Sequence, residues 1–345
     1  MTSAKEQDQP VAKSAKATGD KKITAAPAVG PIPLELDDLD KALIEHLRID
    51  GREGNRSLGA KLKVNEVTVA SRLRRLEESG MMRVVAVTDI QLFGHREFAF
   101  AMVNAGGRAI DEVAADLAKL PEAVSVTVCT GRFDIVVPIL GRDRLHIAEL
   151  FGKVLPKIRG VRSVHGSMAL DVLKYDSKWS LFGADSGATP KAQPSDTVDE
   201  TDLAIIASLQ VNGRRSNRQI AANLGFSEGT VRGRIKRMQN DRVFRIQAVS
   251  DVVVSGLRAH AFVGIKAAPG KVDTVARVLA QREDVAQITR VLDGLDLIAV
   301  MIAADRPSLI SAIHNEIAPT AGVYSVETFD SVSTLKHNYL WTWIV

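Results

Sequence analysis

At 345 residues the chain is long enough for two or more domains, and its 46% apolar content supports packed cores. A net charge of +4, from 45 Lys/Arg against 41 Asp/Glu, confines any nucleic-acid footprint to local patches. One cysteine, Cys129, excludes an intrachain disulfide framework, and no apolar run approaches the roughly 20 residues that span a bilayer.

The opening stretch MTSAKEQDQPVAKSAKATGDKK lacks the apolar core of a secretory signal, so a cytoplasmic protein with no membrane partner is expected. Residues 1–35, rich in Ala, Lys, Pro and Gly, read as a disordered tail. The rest of the chain is a tandem duplication. A shift of 162 pairs Asp40 with Asp202, Gly51 with Gly213, Asn55 with Asn217, Phe100 with Phe262, Asp134 with Asp296 and Trp179 with Trp341. The predicted divisions are a helix-turn-helix over 36–85, a βαββαβ domain over 86–182 and a linker over 183–198. A second helix-turn-helix over 199–247 and a second βαββαβ domain over 248–345 complete the chain. The fold class is α+β, two repeats of a winged or three-helix unit followed by a ferredoxin-like domain.

Each half opens with three short helices. Leu43, Ile44 and Leu47, matched by Ile205, Ile206 and Leu209, stand at helical spacing in the first. In SNRQIAANLGF, Ser216 and Gln219 form a capping-box pattern, and Gly225 supplies a left-handed stop. The third helix starts after Asn65 or Ser227, both good N-caps, with Val64/Val69 and Phe226/Val231 placed as hydrophobic staples. At 100° per residue, Val69, Leu73 and Leu76 point inward, as do Val231, Ile235 and Met238. Ala70, Ser71, Arg74 and Arg75 then lie outside in the first copy, and Arg232, Gly233, Lys236 and Arg237 in the second. An outer basic face is also what a merely solvated helix shows. The cap, the staple and the two preceding helices favour a major-groove reading helix, with Ser71, Arg74, Arg75, Ser227, Arg232, Gly233, Lys236 and Arg237 as DNA-binding candidates. Arg72 and Arg234 flank the apolar stripe and are expected to pair with Asp40 and Asp202. From Leu39 to Arg83, ten cations against seven anions leave +3; from Thr201 to Arg245, nine against three leave +6. The second unit is therefore expected to bind DNA more strongly.

The remainder of the first half predicts strands near Glu97–Asn104, Ala123–Thr130, Phe133–Leu140 and Val161–Leu173, with helices near Ala109–Lys119 and Asp143–Leu155. Strands near Ala259–Ala267, Val285–Leu292, Asp296–Ile302 and Val323–Leu335 repeat the order. FAFAMV, IVVPIL, AFVGI and LIAVMI are apolar on both faces, so the face away from the helices needs a partner sheet. A linker of some 23 residues from Asp176 to Val198 lets the two sheets of one chain meet as a pseudo-dimer, and exchange between chains is also allowed. Trp179 and Trp341 are expected to pack on their own sheets. The seven histidines show no metal-ligand spacing, and neither a metal nor a cofactor is implied.

A helix-turn-helix followed by βαββαβ, with TGRFDIVV at the hairpin, resembles the Lrp/AsnC family of feast/famine regulators over roughly Leu36–Trp179 and Asp199–Trp341. LDDLDKALIEHLRIDGR looks like that family's first helix, and FSEGTVRGRIKRM like its recognition helix. The resemblance implies double-stranded DNA as partner, homo-oligomers built from dimers, and a small effector, often an amino acid, at the edge of the βαββαβ domain. Thr130, Gly131, Arg132, Phe133 and Asp134 are the candidate effector residues, with Gly294 and Asp296 in the second half. Backbone amides would take a carboxylate, Asp134 an ammonium and Phe133 a side chain; the same residues also suit an ordinary turn. The second hairpin, LDGLDLI, reads as Gly-x-Asp in place of Gly-x-x-Asp. Two other classes fit the fold: an Lrp-like tetrapyrrole-modifying enzyme, and a ligand sensor or scaffold with decayed DNA binding. No acid, base or metal constellation supports catalysis.

Overall fold

Two aspartates three residues apart start each half. The structure, a computed structural model, describes residues 36–89, 97–176, 179–180, 198–251, 256–338 and 341–342; the side chains at 89, 179–180, 251 and 341–342 lie outside that description. The expected tail and the expected linker up to residue 197 also fall outside it, while Val198 is described and buried. In α1 (Asp38–Ile49) the Asp37 carboxylate accepts from Asp40 N at 2.9 Å, and Asp40 returns the bond at 3.3 Å. Asp199 and Asp202 repeat this capping box, at 2.8 and 3.2 Å, on α6 (Glu200–Val211). Helices α2 (Asn55–Leu62) and α7 (Asn217–Leu224) follow. Ser216 and Gln219 cap α7 as expected, and Gly225 ends it at φ 74°. Lys63 ends α2 at φ 56°, a left-handed conformation that a residue with a Cβ adopts at a cost of roughly 1–2 kcal/mol.

Asn65 caps α3 (Glu66–Glu78), and Ser227 caps α8 (Glu228–Asn240), each accepting from the N–H three residues on. The inward stripes are buried in both. The staple holds less well in the second copy, where Val231 is buried but Phe226 remains 42% exposed.

The strands that come next depart from the expectation, which ended the helix-turn-helix units at 85 and 247. MRVVAVTD and FRIQAVSD form β1 (Met82–Asp89) and β7 (Phe244–Asp251), rich in the β-branched residues strands favour. They pair antiparallel with each other, from Met82↔Ser250 to Thr88↔Phe244. Val84, Ala86, Ile246 and Ala248 join the main core, while Val85, Val87 and Val249 cluster separately on the other face. Contacts cross between halves: α1 lies on β7, and α6 lies on β1. Short strands β6 (Trp179–Ser180) and β12 (Trp341–Thr342) extend this sheet, β6 beside β7 and β12 beside β1. The backbones at the two tryptophans thus join a strand of the opposite half rather than their own.

In the first half β2 (Glu97–Ala105), β3 (Ser125–Thr130), β4 (Ile135–Gly141) and β5 (Val161–Tyr175) alternate with α4 (Ile110–Ala118) and α5 (Arg144–Glu149), the latter continued by a π turn over Leu150–Val154. The second half repeats this with β8 (Ala259–Ala267), α9 (Val272–Ala280), β9 (Val285–Leu292), β10 (Leu297–Ala303), α10 (Arg306–Ser311) and β11 (Val323–His337). The two sheets do more than stack. They close into one eight-stranded barrel, β10-β8-β11-β3-β4-β2-β5-β9.

The 15-residue strands β5 and β11 make closure possible. The first part of β5 pairs with β2 of its own half and the last part with β9 of the other. β11 likewise serves β8 and then β3. Each has a register shift soon after the change of partner, between Ala169 and Asp171 and between Ser331 and Ser333, which bends the strand. Both faces of the central strands are covered, as their sequences require. Ala99, Ala101, Val103, Ile135 and Val137 pack under α4 and α5, while Phe98, Phe100, Met102, Val136, Phe262, Ile298 and Phe329 lie in the common core. Phe100 and Phe262, equivalent across the repeat, meet edge to face at 6.3 Å.

Candidate nucleic-acid interface and hairpin seam

Asp40 and Asp202 are fully buried, so each needs a cation. Arg72 Nη1 lies 3.2 Å from Asp40, and Arg234 Nη1 2.9 Å from Asp202, as their place beside the apolar stripe predicts. Hydrogen bonds from the Asp40 N–H and Arg72 hold the Asp37 carboxyl below its ordinary range; Arg234 does the same most strongly for Asp199. Arg75 and Arg237 go the same way. Each bonds the buried aspartate through Nη2, though the sequence placed both on the DNA-facing side. A helical wheel places Cα atoms, and a side chain this long swings back over the preceding turn to reach a buried charge.

Ser71 and Arg74 are exposed on α3, and Arg232, Gly233 and Lys236 on α8; Arg237 is exposed as well, with one end of its guanidinium on Asp202. Ser227 is exposed too, but its hydroxyl is engaged with Thr230, accepting from N at 3.0 Å and lying 2.8 Å from Oγ1. Val67, 77% exposed near the start of α3, was not among the candidates; an apolar residue on an otherwise polar face was the available signal.

The hairpin residues sit at the seam between halves. Gly131 takes φ 145°, and a Cβ there would lie 2.8 Å from the Thr328 carbonyl oxygen on β11. Arg132 forms a two-pronged pair with Glu327, at 2.8 and 3.0 Å, and covers the Phe133 ring at 4.7 Å. Phe133 is buried against His165 (5.5 Å) and Phe329 (5.8 Å). Asp134 turns inward to its own backbone, accepting from Ala105 N at 2.8 Å, and Asp296 accepts from Ala267 N at 2.8 Å. Both carboxylates tie the hairpin to the end of a neighbouring strand, β2 or β8. Thr130, Gly131 and Gly294 are exposed. The second hairpin is not shortened: four residues separate the strands in each, and Asp293 stands where Gly131 does. Asp293 reaches across to β5, bonding Ser167 Oγ and lying 3.1 Å from His165 Nε2.

An AsnC-type helix-turn-helix domain model matches residues 36–77 and 198–239, and an Lrp/AsnC ligand binding domain model matches 98–179 and 260–341. The chain belongs to the Lrp/AsnC family. HTH-type transcriptional regulator FL11 of Pyrococcus horikoshii is 34% identical over 140 residues, covering 40% of this chain and 90% of the relative. HTH-type transcriptional regulator Ptr1 of Methanocaldococcus jannaschii is 29% identical over 140 residues, covering 40% and 95%. Each of these Lrp/AsnC relatives therefore matches a stretch about one repeat long. The double arrangement is found in the siroheme decarboxylase NirDL, similar over 87% of this chain and 93% of that one, with a TM-score of 0.64 at 15% identity. That likeness is one of fold. Among the described residues, no helix is long and apolar enough to cross a membrane.

Proposed function

We propose that this Lrp/AsnC protein is a sequence-specific transcriptional regulator in which one chain carries both reading helices of a pseudo-dimer. The observation that carries the reading is the pair of exposed, chemically different outer faces on α3 and α8, mounted on two halves joined through β1 and β7. Arg232 and Lys236 offer one face guanidinium and ammonium groups for phosphates and guanine edges; Val67, Ser71 and Arg74 make the other less charged. A mobility shift with DNA upstream of the protein's own gene tests this. Arg232→Ala with Lys236→Ala should weaken binding more than Arg74→Ala. The double variant should also flatten the salt dependence by about one unit of slope for each phosphate it no longer neutralises. Equal losses on both sides would refute the asymmetry.

An amino acid or similar small effector is proposed to act at the hairpin seam, where Arg132 and Glu327 join the halves. Because Asp134 holds the end of β2 through Ala105 N, Arg132→Ala is the informative variant. A ligand that raises the melting temperature of the parent but not of the variant supports the site. No shift across the common amino acids counts against it. The double-repeat likeness to NirDL favours one second reading, a tetrapyrrole-modifying enzyme, and a tetrapyrrole absorbance in purified protein would support it.

A further inference from the structure

The turn after the first helix of each half carries a Gly-Arg-x-x-Asn run, Gly51–Asn55 and Gly213–Asn217, which neither reading helix contains. Gly51 N donates to Ile246 O at 3.0 Å, and Gly213 N to Val84 O at 2.7 Å, so each turn is pinned to the opposite half's strand. The arginines then cross. Arg52 Nε donates to Gly213 O at 2.9 Å, Nη1 to Asn217 Oδ1 at 2.9 Å, and Nη2 to Arg215 O. Arg214 answers with Nη1 to Gly51 O at 3.1 Å and Glu53 O at 3.0 Å, and Nη2 to Asn55 Oδ1 at 2.8 Å. Every bond in this set ends on a carbonyl or amide oxygen of the other half. Burial lowers the pKa of both guanidinium groups from the ordinary arginine value.

Asn55 and Asn217 are the first residues of α2 and α7, which pack directly on α3 and α8. Each guanidinium therefore holds the support of the opposite reading helix. A planar fork with fixed donor directions can span three oxygens; a lysine ammonium acts from a single point and cannot hold them in one geometry.

We propose that Arg52 and Arg214 are positioning residues that lock the two helix-turn-helix units into a single reading head, so that the chain accepts two DNA half-sites at one spacing. The clamp itself is a property of the free protein; its consequence for spacing rests on the DNA-reading function proposed above. The test compares the full chain with Arg52→Lys/Arg214→Lys, which keeps both charges and removes both forks. In a Cys129→Ala background, spin labels at Glu78→Cys and Asn240→Cys, exposed equivalents near the ends of α3 and α8, report the distance between reading helices without DNA. One narrow distance in the parent that broadens in the lysine variant is expected; an unchanged narrow distribution overturns the clamp. DNA selected from a random pool by the parent is then lengthened by half a helical turn between half-sites. The parent should lose about tenfold or more in affinity, and the variant under about threefold. Equal discrimination by both overturns the spacing role. A parent that selects no DNA refutes the DNA reading while leaving the distance result standing. If the double variant does not fold, Arg52→Lys and Arg214→Lys singly carry the same comparisons.

Discussion

At the scale of residues, the second helix-turn-helix is organised around one buried carboxylate. Asp202 completes the capping box of α6, pairs with Arg234 and bonds Arg237, and Asp40 does the same in the first. Asp202→Ala should cost about 2–4 kcal/mol, less than a fully buried pair because both guanidinium groups reach water once released. Arg237→Ala should share that loss through its bond to Asp202, whereas Arg232→Ala, away from that carboxylate, should stay within about 0.5 kcal/mol. Urea unfolding of the three variants checks the order, and a neutral Asp202→Ala would show that the network contributes nothing. Arg72 and Arg234 were legible as structural because their position beside the apolar stripe follows from helical spacing alone. Arg75 and Arg237 were not. Their direction depends on a carboxylate 35 residues away whose burial only the packed structure reveals. The bonds of the hairpin aspartates were not legible either, since the same letters serve a ligand loop and a carboxylate held by a neighbouring strand's backbone.

Among elements, the helices were legible because caps and stops are local signals, and β1 and β7 were not because their partner lies about 160 residues away. Their junction with the helices leaves no room. A Cβ on Gly51 would stand 2.8 Å from the Ile246 backbone, and one on Gly213 2.8 Å from Ile246 Cγ2. Gly51→Ala and Gly213→Ala should each destabilise by about 1–3 kcal/mol through overpacking. Gly233, with nothing within 4 Å, provides the contrast: Gly233→Ala should stabilise α8 by up to about 1 kcal/mol. Melting temperatures moving the same way for all three would refute this account. The end of β11 holds a second element-level feature. His337 and His260 are both shifted down to about 4, mainly by burial, His337 further by the charge of His260. Between pH 6.5 and 4 the unfolded chain then binds more protons than the folded one, so stability is whole above about pH 6.5 and falls as pH drops towards 4. His260→Gln/His337→Gln should flatten that part of the urea-midpoint profile; an unchanged slope would place its origin elsewhere.

For the whole molecule, the need to cover the second face of FAFAMV and AFVGI was readable from their continuous apolar runs. Closure was not, because it depends on β5 and β11 each changing partner midway, which local pattern does not encode. The closed barrel makes two measurements informative. Proteolysis between Asp176 and Val198 should leave the halves co-eluting on size exclusion, since the β5–β9 and β3–β11 ladders persist; separate monomers would contradict the joined halves. Cys129 lies in the common core with its thiol pushed up to about 12 by burial. Native alkylation should therefore be slower than in the unfolded chain by roughly a thousandfold, in line with the smaller thiolate fraction. Comparable rates would mean that the barrel opens readily.

The crossed pairing of β5 and β11 also sets a timetable for synthesis. When Tyr175 has left the ribosome, the outer edge of β3 and the end of β5 have no neighbour, and the side of the sheet bearing Phe98, Phe100 and Met102 has nothing to rest on. β9, the partner of β5, is complete at Leu292, but β11, the partner of β3, arrives only as translation nears His337, 162 residues after Tyr175, which takes about 10–30 s at the usual pace. Through that interval the nascent first half is an open sticky sheet, and on a crowded polysome its nearest match is the first half of the next chain. Growth temperature, ribosome density and chaperone supply should therefore decide how much of this protein matures as closed single chains and how much is lost to strand exchange between neighbours.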